Sequence, residues 1–208
     1  MKEYYIPTDA GESEYVEKRS RFLGCVMPIE SEEEAKELIA GIKKQHYDAR
    51  HNCWCYLLRD GAERYSDDGE PQGTAGIPML EVFHREGVTN LVCVVTRYFG
   101  GILLGTGGLL RAYTKAAKDA LDDAGISVVR PWKECLLPCP YASLERLKSE
   151  ISAVSGIITD TIYADRVTLR LLIPEEQYEP FCLRVRDLSQ GSLEPSLLGD
   201  TSRAAPLK

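Results

Sequence analysis

NLVCVVTRYFGGILLGTGGLLRAYTKAAKDAL, Asn90 to Leu121, carries an apolar strand into a glycine-dense loop and the loop straight into a helix. Leu91, Val92, Cys93, Val94 and Val95 form a short, largely β-branched run after the turn residues Gly87, Thr89 and Asn90, which predicts a buried strand over 90–95. Thr96, Arg97 and Tyr98 then carry polar groups out of its C-terminal end. Five glycines follow in nine positions, Gly100, Gly101, Gly105, Gly107 and Gly108. Backbone of that composition is free to take positive φ, or to approach a neighbour where side chains would collide. The helix is expected from about Gly107, with Leu110, Tyr113, Ala117, Leu121 and Ala124 on one stripe and Arg111, Lys115, Lys118 and Asp122 on another.

Strand, glycine loop and helix N-terminus make an arrangement in which unpaired amides and the helix dipole favour an anion. The loop meets neither GxGxxG nor the phosphate-loop pattern with its lysine. Its spacing therefore fits an anion site and a close-packing turn about equally. Arg111 lies in the first turns of the helix, where the dipole disfavours a cation by up to about 1 kcal/mol, so its placement calls for a negative partner, either a ligand or a carboxylate of the protein. Arg97 and Arg111 are expected to converge on one patch. The candidate binding residues here are Arg97, Tyr98, Phe99, Gly100, Gly101, Gly105, Thr106, Gly107, Gly108, Arg111 and Lys115.

Two segments upstream add to the site. In HNCWCY, His51 to Tyr56, alternation puts His51, Cys53 and Cys55 on one face of a strand and Asn52, Trp54 and Tyr56 on the other. Same-face neighbours lie roughly 6 to 7 Å apart and no fourth ligand is evident, so cysteines on a sheet's inner face are a better reading than zinc. The segment YSDDGEPQGTAG, Tyr65 to Gly76, is turn-rich, yet it concentrates Asp67, Asp68 and Glu70, followed by Gln72. It reads as a solvated acidic loop, or as carboxylates that bind a metal, serve as a base or pair with Arg97.

Composition bounds the rest. An apolar fraction of 44% over 208 residues is ample for one large or two small cores. No apolar run approaches a membrane span and the first fifteen residues lack the features of a leader, so a cytoplasmic protein is expected. Seven cysteines, without a CxxC pair, read as reduced core residues. Residues 1 to 133 carry 17 Lys and Arg against 21 Asp and Glu, and residues 134 to 208 carry 8 against 11, which excludes nucleic-acid coating by bulk charge. Any phosphate binding must use a local patch.

Outward from the centre, Arg21 to Ile29 reads as a strand, and Ser31 with Glu34 as a capping box for a helix from Glu32 to about His46. Ile77, Leu80, Phe83 and Val88 give a short amphipathic helix that Gly87 ends. A new unit opens after Gly125: a strand over Glu134 to Cys139, a helix striped by Leu144, Leu147, Ile151 and Val154, a hairpin over 157–173, a helix over Tyr178 to Leu188, and a short strand Leu193 to Leu198, with the tail from Gly199 expected to fray. This βαββαβ order is the ferredoxin-like plan. The join is expected between Val128 and Glu134, where Pro131 interrupts regular structure, dividing the chain into domains 1–130 and 131–208.

The run VVTRYFGGILLGTGGLLRAY, together with HNCWCY and DDGEPQGTAGIP, resembles the YigZ/IMPACT family, and the likeness spans most of residues 15 to 125. It implies an α+β chain of two domains. The N-terminal domain would be a two-layer α/β sandwich with the left-handed βαβ fold of a ribosomal protein and of domain IV of elongation factor G, and the C-terminal one would resemble domain V of that factor. It also implies translation regulators among the eukaryotic relatives, which act through a protein partner of a stress-responsive kinase.

Two functions follow. In the first, a non-enzymatic module binds RNA, the ribosome or a translation-regulatory protein, with Arg97, Arg111 and Lys115 on phosphates and Tyr98 or Phe99 stacked on a base. In the second, an enzyme holds a nucleotide or other phosphorylated small molecule on the loop 100–108, with Asp67, Asp68 or Glu70 as metal ligand or base. No GxSxG, HExxH or Walker lysine motif is present, and no cofactor is expected.

Overall fold

The computed structural model describes residues 2–207 and is an α+β structure with two five-stranded sheets and five α-helices. Contacts divide it into two compact units, residues 4–128 with 204–207, and residues 2–3 with 129–203.

In the first unit, β1 (Tyr4–Pro7), β2 (Gly11–Glu17) and β3 (Ser20–Pro28) precede α1 (Glu32–Gln45); β4 (His51–Leu57) and β5 (Glu63–Ser66) precede α2 (Gly76–Glu86); and β6 (Leu91–Tyr98) leads through the glycine loop into α3 (Thr106–Ala124). The sheet order is β2-β3-β6-β4-β5, so the apolar strand β6 is central. It runs antiparallel to both β3 and β4. Burial on both faces explains its unbroken apolar run. One face, with Phe22, Val26, Cys53, Cys55, Cys93 and Val95, packs on α2 and α3; Tyr56, Val92 and Val94 of the other pack on α1.

The strand outlasts its apolar run by three residues, because Thr96 and Arg97 stay in register with both neighbours and Tyr98 with β3. Arg97 is therefore a sheet residue, with Phe22 and His51 as its cross-strand partners. On α3 the buried stripe is Leu109, Ala112, Tyr113, Ala116, Ala117, Ala120 and Leu121, while Leu110, expected on the core side, is exposed. The difference is one residue of phase. Strand β2 lay outside the sequence reading because its alternation is half-exposed and charged.

Alanines on α3 meet glycines on the strands. A Cβ added at Gly24 would lie 2.6 Å from the Ala116 carbonyl oxygen, and one at Gly11 2.2 Å from the Ala124 nitrogen. Helix and sheet thus touch backbone to backbone, and the Ser13 hydroxyl donates to the same Ala116 oxygen at 2.7 Å.

The second unit holds β7 (Ile126–Cys139), α4 (Leu144–Ala153), β8 (Ile157–Tyr163), β9 (Val167–Pro174), α5 (Glu175–Leu188) and β10 (Ser196–Pro206). β9 lies between β7 and β8, both antiparallel to it, and β10 pairs with β7. Leu137, Leu147, Ile151, Leu169, Leu171 and Phe181 fill the core beneath α4 and α5. Two expectations fail here. Strand β7 continues through Pro131, which falls just outside the stretch paired with β9 and so needs no N–H for that ladder. The tail beyond Gly199 does not fray, because it is held as strand β10 to Pro206. Among the described residues no helix is long and apolar enough to cross a membrane.

Replacing Gly24 by Ala should push α3 off the sheet and lower stability by about 1–3 kcal/mol, read as a fall in the denaturant midpoint. An unchanged midpoint would show that the helix has room to move.

Candidate functional site

The polar end of β6 is built around a buried ion pair. Arg97 and Glu70 are 5% and 8% exposed, and one guanidinium nitrogen (Nη1) donates to Glu70 Oε1 at 2.5 Å. The Tyr113 hydroxyl, from the second turn of α3, donates to the same oxygen at 2.8 Å. Burial, then the neighbouring Cys53 and Glu70, push that phenol far above its usual range, which keeps it a donor. The second guanidinium amino group reaches Ser20 Oγ at 3.5 Å, and Nε has no acceptor. The guanidinium carbon stands 5.4 Å from the Phe22 ring and 5.5 Å from the Phe99 ring. One pair thereby ties β6, the acidic loop, α3 and the β2–β3 turn together.

The acidic loop gives each carboxylate its own partner. Asp67 accepts from the amides of Gly73, Ala75 and Gly76 at 2.8, 3.1 and 2.8 Å, so it caps α2 from a distance. Asp68 accepts from Lys43 Nζ and from the Asn52 amide, each at 2.7 Å. Asp68 and Gly69 both have positive φ, 45° and 88°, the turn that Asp-Gly favours. That turn delivers the Asp68 carbonyl to His51 Nδ1 at 2.8 Å. A carbonyl only accepts, so Nδ1 carries the proton, and Nε2 faces Glu70 Oε2 at 3.9 Å.

Beside this cluster lies a cavity of about 610 Å³ lined by the polar Arg50, His51, Glu70 and Arg97, the apolar Phe99, Leu103, Leu104 and Leu109, and Gly105 with Thr106 at the start of α3. Six of the expected site residues thus meet there: His51, Glu70, Arg97, Phe99, Gly105 and Thr106. The others do not. Tyr98 points to the α1 side, bonded to His46 and Asp48. Lys115 pairs with Asp119, and Gln72 is exposed outside the lining.

Arg111 is exposed, makes no ion pair among the described residues, and is absent from the lining, so the two arginines do not form one patch. Asp67 and Asp68 are held away from it by their own partners. Gly100 serves packing: a Cβ there would lie 2.1 Å from the Arg19 carbonyl carbon, and its amide donates to Ser20 Oγ. Gly101 takes φ 85° in the loop, while Gly107 and Gly108 form the first turn of α3. Arg50 and Ser20 escaped the sequence reading. Arg50 borders the strand that carries His51, a signal within reach; Ser20, 77 residues from Arg97, had none.

Breaking the pair on one side should be severe. Arg97→Met or Glu70→Gln leaves a buried charge without its counter-ion, and each is expected to cost about 3–5 kcal/mol, with part of the loss recovered in the double variant. Denaturant melts of all three check this; additive losses would show that the two groups do not interact.

Comparison with known proteins fits this layout. Residues 18–121 match the Impact N-terminal domain, and residues 137–192 match a domain of unknown function. The chain is 35% identical over 193 residues to IMPACT family member YvyE of Bacillus subtilis, covering 92% of this chain and 89% of that one. It is 37% identical over 181 residues to IMPACT family member YigZ of Escherichia coli, covering 85% and 89%. Protein IMPACT of Rattus norvegicus is 29% identical over 105 residues, 48% of this chain and 33% of its own. A crystal structure of a hypothetical protein superposes with a TM-score of 0.61 at 33% identity, covering 96% of this chain and 98% of that one. With its N-terminal domain matched from β3 to α3 and its bacterial relatives aligned over most of their length, the chain belongs to the IMPACT family.

Proposed function

We propose that the protein is a non-enzymatic binding module of the translation apparatus, docking onto a protein surface through the loop after β6. The observation that carries this is the loop's exposure of apolar side chains. Phe99, Ile102 and Leu103 are 46%, 42% and 81% exposed, and Leu110 on the next turn is 44% exposed. A cluster of this kind at a rigid strand-to-helix junction is what a protein partner desolvates on docking. The translation link rests on the family resemblance.

Charge favours a protein partner over an RNA backbone. Arg97 is charge-paired with Glu70 and Lys115 with Asp119, and the chain as a whole carries −7. The enzyme reading loses support from the same geometry. Asp67, Asp68 and Glu70 face three different partners, and among the described residues no three His, Cys, Asp or Glu are grouped to hold a metal.

Co-sedimentation with ribosomes and their bound factors, from lysate, tests the docking face. Leu103→Asp should reduce the bound fraction at least about tenfold, the loss of one hot-spot side chain, while thermal stability stays unchanged because the side chain is exposed. Arg111→Ala should leave binding and its salt dependence nearly unaltered. Loss of binding in Arg111→Ala with Leu103→Asp unaffected would instead support phosphate contact.

A further inference from the structure

We infer that the cavity beside α3 is a binding site for a small oxyanion carried on an apolar body, a phosphate monoester or a carboxylic acid with an aromatic or branched group. Its volume of about 610 Å³ falls within the roughly 300–1,000 Å³ of small-molecule sites. Its two sides differ in chemistry, and each selects one end of the ligand.

The polar side has donors without acceptors. α3 is nineteen residues long, has Gly105 as its N-cap with no side-chain cap, and carries no acid in its first turn. Among the described residues the amides of Thr106, Gly107 and Gly108 find no acceptor, as expected for the open end of a helix. That alone is common. What singles this end out is Arg97, 95% buried and lining the same cavity, whose second amino group has only the 3.5 Å contact to Ser20. A buried guanidinium with unspent donors is costly unless something completes it. Arg50, exposed at the rim, adds a second cation. Glu70 is the single opposing charge.

Two arginines against one carboxylate suit a compact anion. A polyphosphate would bring more negative charge than this wall can balance. Among the other lining residues, Phe99, Leu103, Leu104 and Leu109 offer apolar surface for the ligand's body. Phe99 and Leu103 serve both readings, but the site does not rest on the docking of a protein to the loop, since Arg97, Arg50 and the Thr106 amide, on which it depends, take no part in that docking.

Amide NMR titration of the full chain with phenyl phosphate, inorganic phosphate and benzoate tests it. Phenyl phosphate or benzoate should shift the Thr106, Gly107 and Gly108 amides saturably, and whichever binds more tightly identifies the phosphate or the carboxylate as the anionic group. Inorganic phosphate should bind at least about tenfold more weakly than phenyl phosphate for want of an apolar body. Arg50→Ala, whose side chain has no structural partner among the described residues, should weaken binding of the better probe about tenfold. No saturable shift with any probe, or binding unchanged in Arg50→Ala, overturns the inference; equal affinity for inorganic and phenyl phosphate overturns its apolar half. Failure here with Leu103→Asp still blocking co-sedimentation leaves the docking function standing, and the reverse result leaves the cavity standing.

Discussion

An arginine buried at the end of a central strand needs its counter-charge delivered to it, and in this chain Glu70 delivers it. Removing two ions from water carries a penalty of several kcal/mol for each, so the pair holds only where geometry and further hydrogen bonds are good. The Tyr113 hydroxyl supplies such a bond from α3, and the Ser20 side chain adds a long contact of 3.5 Å from the start of β3. Four segments remote in sequence are thereby held to one point. The acidic loop can approach because Asp67 and Asp68 are consumed within it, one capping α2 and the other pinned by Lys43 and the Asn52 amide. Fixing the loop and the start of α3 to the same guanidinium also sets the walls of the cavity between them.

Packing enforces the same arrangement from behind. Ala116 and Ala124 of α3 rest on glycines of β2 and β3 with no side chain between them, so the helix has little freedom to slide. Gly100 lies against the Arg19–Ser20 backbone and starts the loop from a defined place. The exposed Phe99, Ile102 and Leu103 are consequently displayed from a rigid frame, and a partner that docks there need order only side chains.

What was legible in the sequence follows from what is local. The apolar run of β6, the capping box at Ser31 and Glu34, and the βαββαβ order of the second unit depend on periodicity and near neighbours, and all reappear. Motif likeness pointed to the segments that line the cavity. The roles within it depend on long-range partners. Pairing of Arg97 with the acidic loop is one of several readings the sequence leaves open, and nothing local says that Glu70, 27 residues earlier, is the carboxylate that takes it. Tyr98 differs from Phe99 by one step along an alternating backbone, enough to send it to the opposite side, onto His46. Leu109 and Leu110 show the same sensitivity on a helix, where one residue of phase exchanges core for solvent.

The claim on which the rest depends is that Arg97 is a sequestered, paired residue of the frame. Solvent exchange of its Nε–H, followed by NMR in the full chain, addresses that directly. A buried guanidinium locked to Glu70 predicts a distinct arginine Nε–H signal that exchanges far more slowly than those of exposed arginines such as Arg111. Exchange as fast as theirs would contradict the account.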